Sequence, residues 1–446
     1  MTTAQDERIN GEIDWLKCTL FPQLLANKNF RTDNAIDGAT TDNVKLLDVQ
    51  LKFIGSEEAF MLTTCYRAII KVQQNDKDPR TTTLVVKKTP NLPQVTFDAI
   101  QFGALFSNEI LSYNNILPAL EEFTGYRFNV PRFYYGDLQS CSAIVVLKDF
   151  AADNFCVAKQ KFNLSLEHAL VALKTLGIFH GTGFALKYKN PADFKRLTQS
   201  LREPRYDITE MHPLWEMITK FGAERLGIST RKYQPQIEES FISRYCKIIS
   251  DFVAFGRKMV APVEPLATLC HGDYLRNNIA FKYAEVDSAE KPIEALMFDM
   301  QTMRVSSPML DFATFLSLST YAAVRCKHFD EIFEEYYTNL VRAFKEHTNE
   351  EQIPEYLSRE FLLREYWRLL PYSLSIASHF LMQLMEPVSG GMEELFSREM
   401  ASEEVREDSM HRGGEAVDLE IAHQMKELYD LVTKHNIDIF KDFDYV

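Results

Sequence analysis

The sequence predicts an α+β protein of two lobes, a small β-rich lobe followed by a larger, mainly helical one. Three observations predict it. Short β-rich segments cluster between Asp48 and Leu147, apolar residues recur at helical spacing beyond Asn163, and the polar AADN after Phe150 marks a join. At 46% hydrophobic and 25% charged, the 446 residues can bury a large core; at roughly 150 residues per domain the length suggests about three domains, but α/β and helical enzymes often run larger, which favours two lobes. The domain reading is an N-terminal helix and linker over 1–43, an N-lobe over 44–150 and a C-lobe over 151–446.

Residues 10–30 place Ile13, Leu16, Leu20, Leu24 and Leu25 at helical intervals, so a capping helix opens the chain, and RTDNAIDGATTDN links it onward. Val49–Ile54, Leu62–Val72 and Thr83–Lys88 read as an antiparallel meander, the last two joined by the turn-rich QQNDKDPR. Phe102, Leu105, Phe106, Ile110, Tyr113 and Leu117 stripe a helix packed on the sheet, which Pro118 should stop. Strands Pro131–Tyr135 and Ala143–Leu147 complete the order β-β-β-α-β-β. Farther on, Leu166, Leu170, Leu173, Leu176 and Phe179 stripe one helix, and 236–259 and 357–384 predict two more. Asn278–Tyr283 and Pro292–Asp299 read as a hairpin. Two glycine pairs and many charges over 386–417 predict a mobile loop before a last helix near 418–435.

With 49 Lys+Arg against 63 Asp+Glu the net charge is −14, and no run of five basic residues occurs, which argues against a nucleic-acid partner. The acidic start MTTAQDERINGEIDW and the lack of an uninterrupted run of about 18 apolar residues predict no signal segment and no membrane partner. The expectation is a cytoplasmic monomer. Seven scattered cysteines without a C-x-x-C pair predict reduced, packed thiols.

The informative segment is His271-Gly272-Asp273-Tyr-Leu-Arg-Asn-Asn278. It resembles the kinase catalytic loop, in which an Asp accepts the proton of the acceptor hydroxyl and an Asn five positions later binds metal. Asp273 and Asn278 have that spacing. An apolar strand then delivers Asp299, a placement suited to the carboxylate that bridges metal to phosphate. Lys87 ends the β-branched run Leu84-Val85-Val86 and is the phosphate ligand, held by Glu109 on the following helix; Lys88 is the reserve, because successive strand residues face opposite sides. A strand lysine, a helix glutamate, this loop and a strand-end Asp, in that order, predict a protein-kinase-like fold.

These residues also resemble the ecdysteroid-kinase-like family, a CHK-type branch of the aminoglycoside phosphotransferase and choline kinase superfamily, over about residues 44–385. The carriers are V-K-x-x-P (Val86, Lys87, Pro90), F-x-x-E-x-x-x-Y with a later L-P (Phe106, Glu109, Tyr113, Leu117, Pro118), Phe179-His180, H-G-D-x-x-x-x-N-x-x-F (His271 to Phe281), and D-x-Q (Asp299, Gln301) before Pro308 and Asp311. The resemblance implies ATP- and Mg²⁺-dependent transfer of a γ-phosphoryl group to a hydroxyl of a small molecule, an ecdysteroid or a hydroxylated xenobiotic. It implies Asp273 as base, His271 as a brace of its loop, Asn278 and Asp299 as metal ligands, Lys87 with Glu109 as phosphate clamp, and Asp149 in the adenine-binding hinge. Lys148 stands where the family has an acidic residue before Asp149, Met300 replaces an aromatic residue, and the tip after Gly55 lacks a second glycine.

Three other readings stand beside this one. A protein kinase needs an activation loop, and only 11 residues separate Asp299 from Asp311 without an A-P-E segment. A catalytically silent nucleotide- or ligand-binding pseudokinase would keep the fold, but the base, metal ligands and lysine are all present. A metallohydrolase built on His271 and Asp273 lacks a second His/Asp cluster nearby.

Overall fold

The computed structural model of the chain describes residues 4–34, 43–54, 62–75, 77–286, 289–387, 401–441 and 443. The Gly55 tip and residues 388–400 of the predicted mobile loop lie outside them.

β1 (Val44–Ile54), β2 (Thr64–Gln74), β3 (Arg80–Lys88), β4 (Phe133–Gln139) and β5 (Ser142–Lys148) form one antiparallel sheet in the order β1-β2-β3-β5-β4. The two-residue pleat sorts side chains between two cores. On β5, Ile144 and Val146 join one core while Ala143, Val145 and Leu147 join the other. The outer core is completed by the N-terminal helices Ala4–Trp15, Phe21–Ala26 and Lys28–Asp33 with the widened turn Leu16–Leu20 between the first two, which lay Leu16, Leu20, Leu24 and Phe30 against Tyr66, Ala68 and Ile70. The expected single capping helix is therefore a run of short helices covering the sheet's outer face.

The inner face takes the helix Phe102–Leu111. Pro118 does not stop it. The chain passes through a widened turn at Ser112–Ile116 into Leu117–Thr124, where Pro118 occupies the first turn and its missing N–H has no helical partner to lose. Gly125, at φ +67°, ends the helix, its N–H donating to Glu121 O at 2.8 Å.

The larger part is mainly helical. Leu166–Lys189, capped by Ser165, packs along Phe329–Thr348, and a Cβ at Gly177 or Gly181 would run into the Tyr336 or Leu340 carbonyl. Among the described residues it is the one helix long and apolar enough to cross a membrane, yet 72% of its apolar window is buried within the protein. The stretch 236–259 is two helices, Glu239–Ser250 and Phe252–Val260, because Asp251 leaves helical geometry and caps the second through Ala254 N at 3.1 Å. The third predicted helix spans Arg359–Met385.

The region expected as a mobile loop contains the helix Ser402–His411, and the last helix starts at Gly414. The reason is tertiary. Buried Arg225 donates to the carbonyls of Ser409 (3.0 Å), Arg412 (2.7 Å) and Gly414 (3.0 Å) and pairs with Asp418 at 2.7 Å, so the charged segment is held by a distant guanidinium.

Two small sheets sit at the boundary between the sheet and the helices. β6 (Cys156–Val157), β8 (Ile279–Val286) and β9 (Ala289–Met297) make one, containing the predicted hairpin, and β7 (Thr268–Cys270) pairs with β10 (Arg304–Ser306) in the other. β6 and β10 are too short to show a period in sequence.

Candidate active site

Between the sheet and the helical part lies a cleft of about 430 Å³, with Val85 and Leu147 above, Leu275 and Phe298 below, and a cluster of charged groups at its centre. Because Leu84 and Val86 are committed to the outer core, Val85 and Lys87 project inward. Lys87 is 8% exposed, and its ammonium donates to Glu109 Oε2 at 2.6 Å, Asp299 Oδ1 at 2.5 Å and Gln301 Oε1 at 3.1 Å. Burial acts to lower its pKa, but the two carboxylates overcome this and hold it above its ordinary value. Glu109 is itself buried, and that burial, with Asp299 competing for the same ammonium, pushes its carboxyl up to about 7 against the pull of Lys87.

Asp299 lies two residues beyond the end of β9, at φ +66° and ψ +61°, a left-handed conformation uncommon for a residue with a side chain. That turn re-aims its carboxylate back toward β3, where Oδ2 also accepts from Gln301 Nε2 at 3.3 Å.

The loop after β7 is organised by Asp311, wholly buried at the start of the helix Met309–Ser319. Its Oδ2 accepts from His271 N at 2.6 Å and its Oδ1 from Gly272 N at 2.8 Å, while His180 Nε2 lies 3.2 Å from Oδ2 and His180 Nδ1 is 2.8 Å from the Tyr336 hydroxyl. His180 is thus a satisfied core residue. Burial alone would raise the Asp311 pKa, yet His180, His271 and the Gly272 amide hold it below its ordinary value. Gly272 sits at φ +84°, and a Cβ there would collide with Thr302 O. His271 Nε2 lies 2.9 Å from Phe298 O and its Nδ1 accepts from Asp273 N at 3.3 Å, which ties the loop to the segment carrying Asp299.

Asp273 and Asn278 meet as their spacing predicts. Asn278 Nδ2 donates to Asp273 O at 2.8 Å and Asp273 Oδ2 at 3.1 Å, so its amide nitrogen is spent and its carbonyl oxygen is the atom it can offer a ligand. The other oxygen of Asp273 carries an ion pair with Arg205 Nη2 at 2.7 Å. Lys87, Glu109, Asp149, Asp273, Asn278 and Asp299 all line the cleft, and His271 lies behind it. The Asp149 carboxylate is committed to Arg67 at 2.5 Å and to Ala151 N at 3.1 Å, which leaves the main chain of the hinge to face a ligand.

Arg205, Arg67 and the organising role of Asp311 escape a reading of the sequence. Arg205 belongs to the irregular stretch between the helices Pro191–Thr198 and Pro213–Tyr233, where no period marks an inward side chain. Asp311 was visible only as part of a motif, without a partner. Among the described residues, the one His/Cys/acid group compact enough for a metal is His180, Cys270 and Asp311, whose carboxylate is already filled by two amides and a histidine.

The strand lysine paired with a helix glutamate, and the H-x-D-x-x-x-x-N loop facing a strand-end aspartate across one cleft, define the two-lobed kinase-like class of fold. Within that class, the model of the ecdysteroid kinase-like family matches residues 57–348, and the chain belongs to that family. No curated protein matches at a significant level. Solved structures with likeness include an aminoglycoside-3'-phosphotransferase of type VIII, 14% identical over 71% of this chain and 93% of that one, TM-score 0.27. An aminoglycoside phosphotransferase from Streptomyces rimosus in complex with ADP and streptomycin is 14% identical over 80% and 98%, TM-score 0.27. A glucosamine kinase is 12% identical over 94% and 98%, TM-score 0.24.

Proposed function

We propose that the protein is an ATP- and Mg²⁺-dependent kinase that phosphorylates a hydroxyl of a small apolar molecule, an ecdysteroid or a hydroxylated xenobiotic. One observation carries the reading: Asp273 stands where two cavities meet. The first is the cleft just described. The second, of about 140 Å³, is walled by Ile100, Leu105, Ile208, Trp215, Phe252 and Phe380, and shares Asp273, Arg205 and Gln301 with the first. Its charged members, Arg205 and Asp273, cancel each other, and burial pushes the pKa values of His212 and His379 down, so this cavity offers no net charge at neutral pH. It suits a neutral acceptor better than a polycation.

In this reading ATP lies along the first cavity, its adenine against the hinge and its phosphates toward Lys87. The donor set fits a hard cation, since Asn278 offers an amide oxygen and Asp299 a carboxylate. Asn278 and Asp299 would hold Mg²⁺, which when bound would supply neutralisation of developing charge. Lys87, braced by Glu109, orients the phosphates. Asp273 accepts the proton of the acceptor hydroxyl, held in place by Asn278, Arg205 and the loop that Asp311 fixes.

The test is incubation of the full chain with Mg²⁺, γ-labelled ATP and a panel of hydroxylated steroids and plant metabolites. A mass gain of one phosphate on a neutral apolar member is expected. ADP binding without transfer to any member would favour the silent pseudokinase instead.

A further inference from the structure

We propose that Arg205 is a catalytic residue that binds the γ-phosphoryl group as it crosses between the cavities. The proposal rests on the kinase reading and goes beyond it, since no motif of the sequence includes this residue.

Position comes first. Arg205 lines both cavities, beside Asp273 and Gln301, so its guanidinium stands at the passage from one to the other. The other cations lining the cleft carry partners of their own. Lys87 has three acceptors, Arg67 is held by Asp149, and Lys148 by Asp153 at 2.9 Å. Arg205 has one ion-pair partner among the described residues, Asp273, whose Oδ1 lies 2.7 Å from Nη2. A guanidinium carries five N–H donors and stays charged at any working pH, so donors remain for a second anion.

The segment carrying it is held in place. Asn108, next to Glu109, donates to Arg202 O at 2.8 Å and accepts from Arg202 N at 3.0 Å, and also donates to Gln301 O at 3.2 Å. Arg205 N donates to Glu203 Oε1 at 2.9 Å, and Glu203 Oε2 lies 3.0 Å from Arg304 Nε. The helix that braces Lys87 thus also fixes the loop that presents Arg205, and a site fixed on one rigid element keeps its charges in register.

The chemistry needs a charge there. In the transfer, the acceptor oxygen bonds to the γ-phosphorus, its proton passes to Asp273, and the bond from that phosphorus to the β–γ bridging oxygen breaks, releasing ADP. Negative charge spreads over the three equatorial oxygens of the moving group, away from Lys87 and toward the acceptor. A preorganised arginine at that point, beside the base, stabilises the transition state.

The experiment uses the full chain with Mg²⁺ and ADP, with and without aluminium fluoride as the mimic of the moving phosphoryl. Arg205→Ala should bind ADP within twofold of wild type and lose about 10²–10³-fold of the tightening that aluminium fluoride gives. Arg205→Lys, which keeps the charge but not the planar fork, should lose at least about tenfold. Free guanidinium should restore part of the ATP hydrolysis lost in Arg205→Ala and none of that lost in Asp273→Asn. If Arg205→Ala misfolds by thermal melting, Arg205→Lys alone decides. A variant that retains the full aluminium fluoride effect would overturn the proposal while leaving the kinase reading intact. Wild-type chain that fails to bind ADP at all would instead sink the kinase reading, and this proposal with it.

Discussion

Lys87 and Lys88 are neighbours on β3 and serve opposite faces of the sheet. The Lys87 ammonium lies in the cleft between Glu109 and Asp299, while Lys88 turns outward, 2.9 Å from Glu12 Oε2 and 4.1 Å from the centre of the Trp15 ring. The strand pleat decides which lysine can meet a phosphate. Lys87→Met should therefore weaken ATP·Mg²⁺ binding and turnover together. Lys88→Met should leave both unchanged and lower stability by about 1 kcal/mol or less, the worth of a partly exposed ion pair. Nucleotide titration and thermal melting of the two variants check this.

Asp273→Asn keeps the shape of the loop and its contact with Arg205 but removes the proton acceptor. Nucleotide affinity should persist, and phosphoryl transfer should slow by about 10²–10⁴-fold, the usual worth of general-base help. Single-turnover kinetics with γ-labelled ATP measures it. Normal turnover would mean that the base is another group.

Gly272→Ala tests the loop itself. At φ +84°, with Thr302 O in the path of a Cβ, any side chain forces the backbone to move. Strain of about 1–3 kcal/mol is expected, together with loss of transfer, because the amide that Asp311 holds is the one that sets Asp273. Denaturant unfolding and turnover report the two effects separately.

Acid should weaken the helical part through His379. Burial lowers its pKa from 6.5 to about 4, so as pH falls below about 6.5 the unfolded chain takes up the proton first. The stability it contributes is complete above about 6.5, is lost progressively down to about 4, and amounts to roughly 3 kcal/mol over that window. His168, His212 and His347 are also lowered by burial and act in the same direction. Denaturant midpoints at pH 7 and 4.5 should differ less in His379→Gln than in wild type.

The parts of this site legible in sequence are those whose partner is a repeating pattern. Lys87 is announced by the strand that carries it, Glu109 by the helical stripe around it, and Asp273 with Asn278 by a fixed spacing along a tight loop. What is illegible depends on contacts between distant segments. Arg205 reaches Asp273 from an irregular stretch 68 positions earlier, Arg225 orders a charged segment beyond residue 400, and the left-handed turn at Asp299 places its carboxylate beyond the strand that was expected to hold it. Pro118 misleads for a local reason: proline is a poor interior helix residue and a good first-turn one, and composition does not say which position it holds.

The N-terminal helices and the helix Arg359–Met385 both lie beyond residues 57–348, the span that the family model matches. The former shield Tyr66, Ala68 and Ile70, and the latter contributes Ile376, His379 and Phe380 to the second cavity. An excised fragment limited to the matched span would bare an apolar sheet face, a surface prone to self-association, and would lack one wall of the cavity beside Asp273. The smallest autonomous unit is thus larger than the signature by which the chain is recognised.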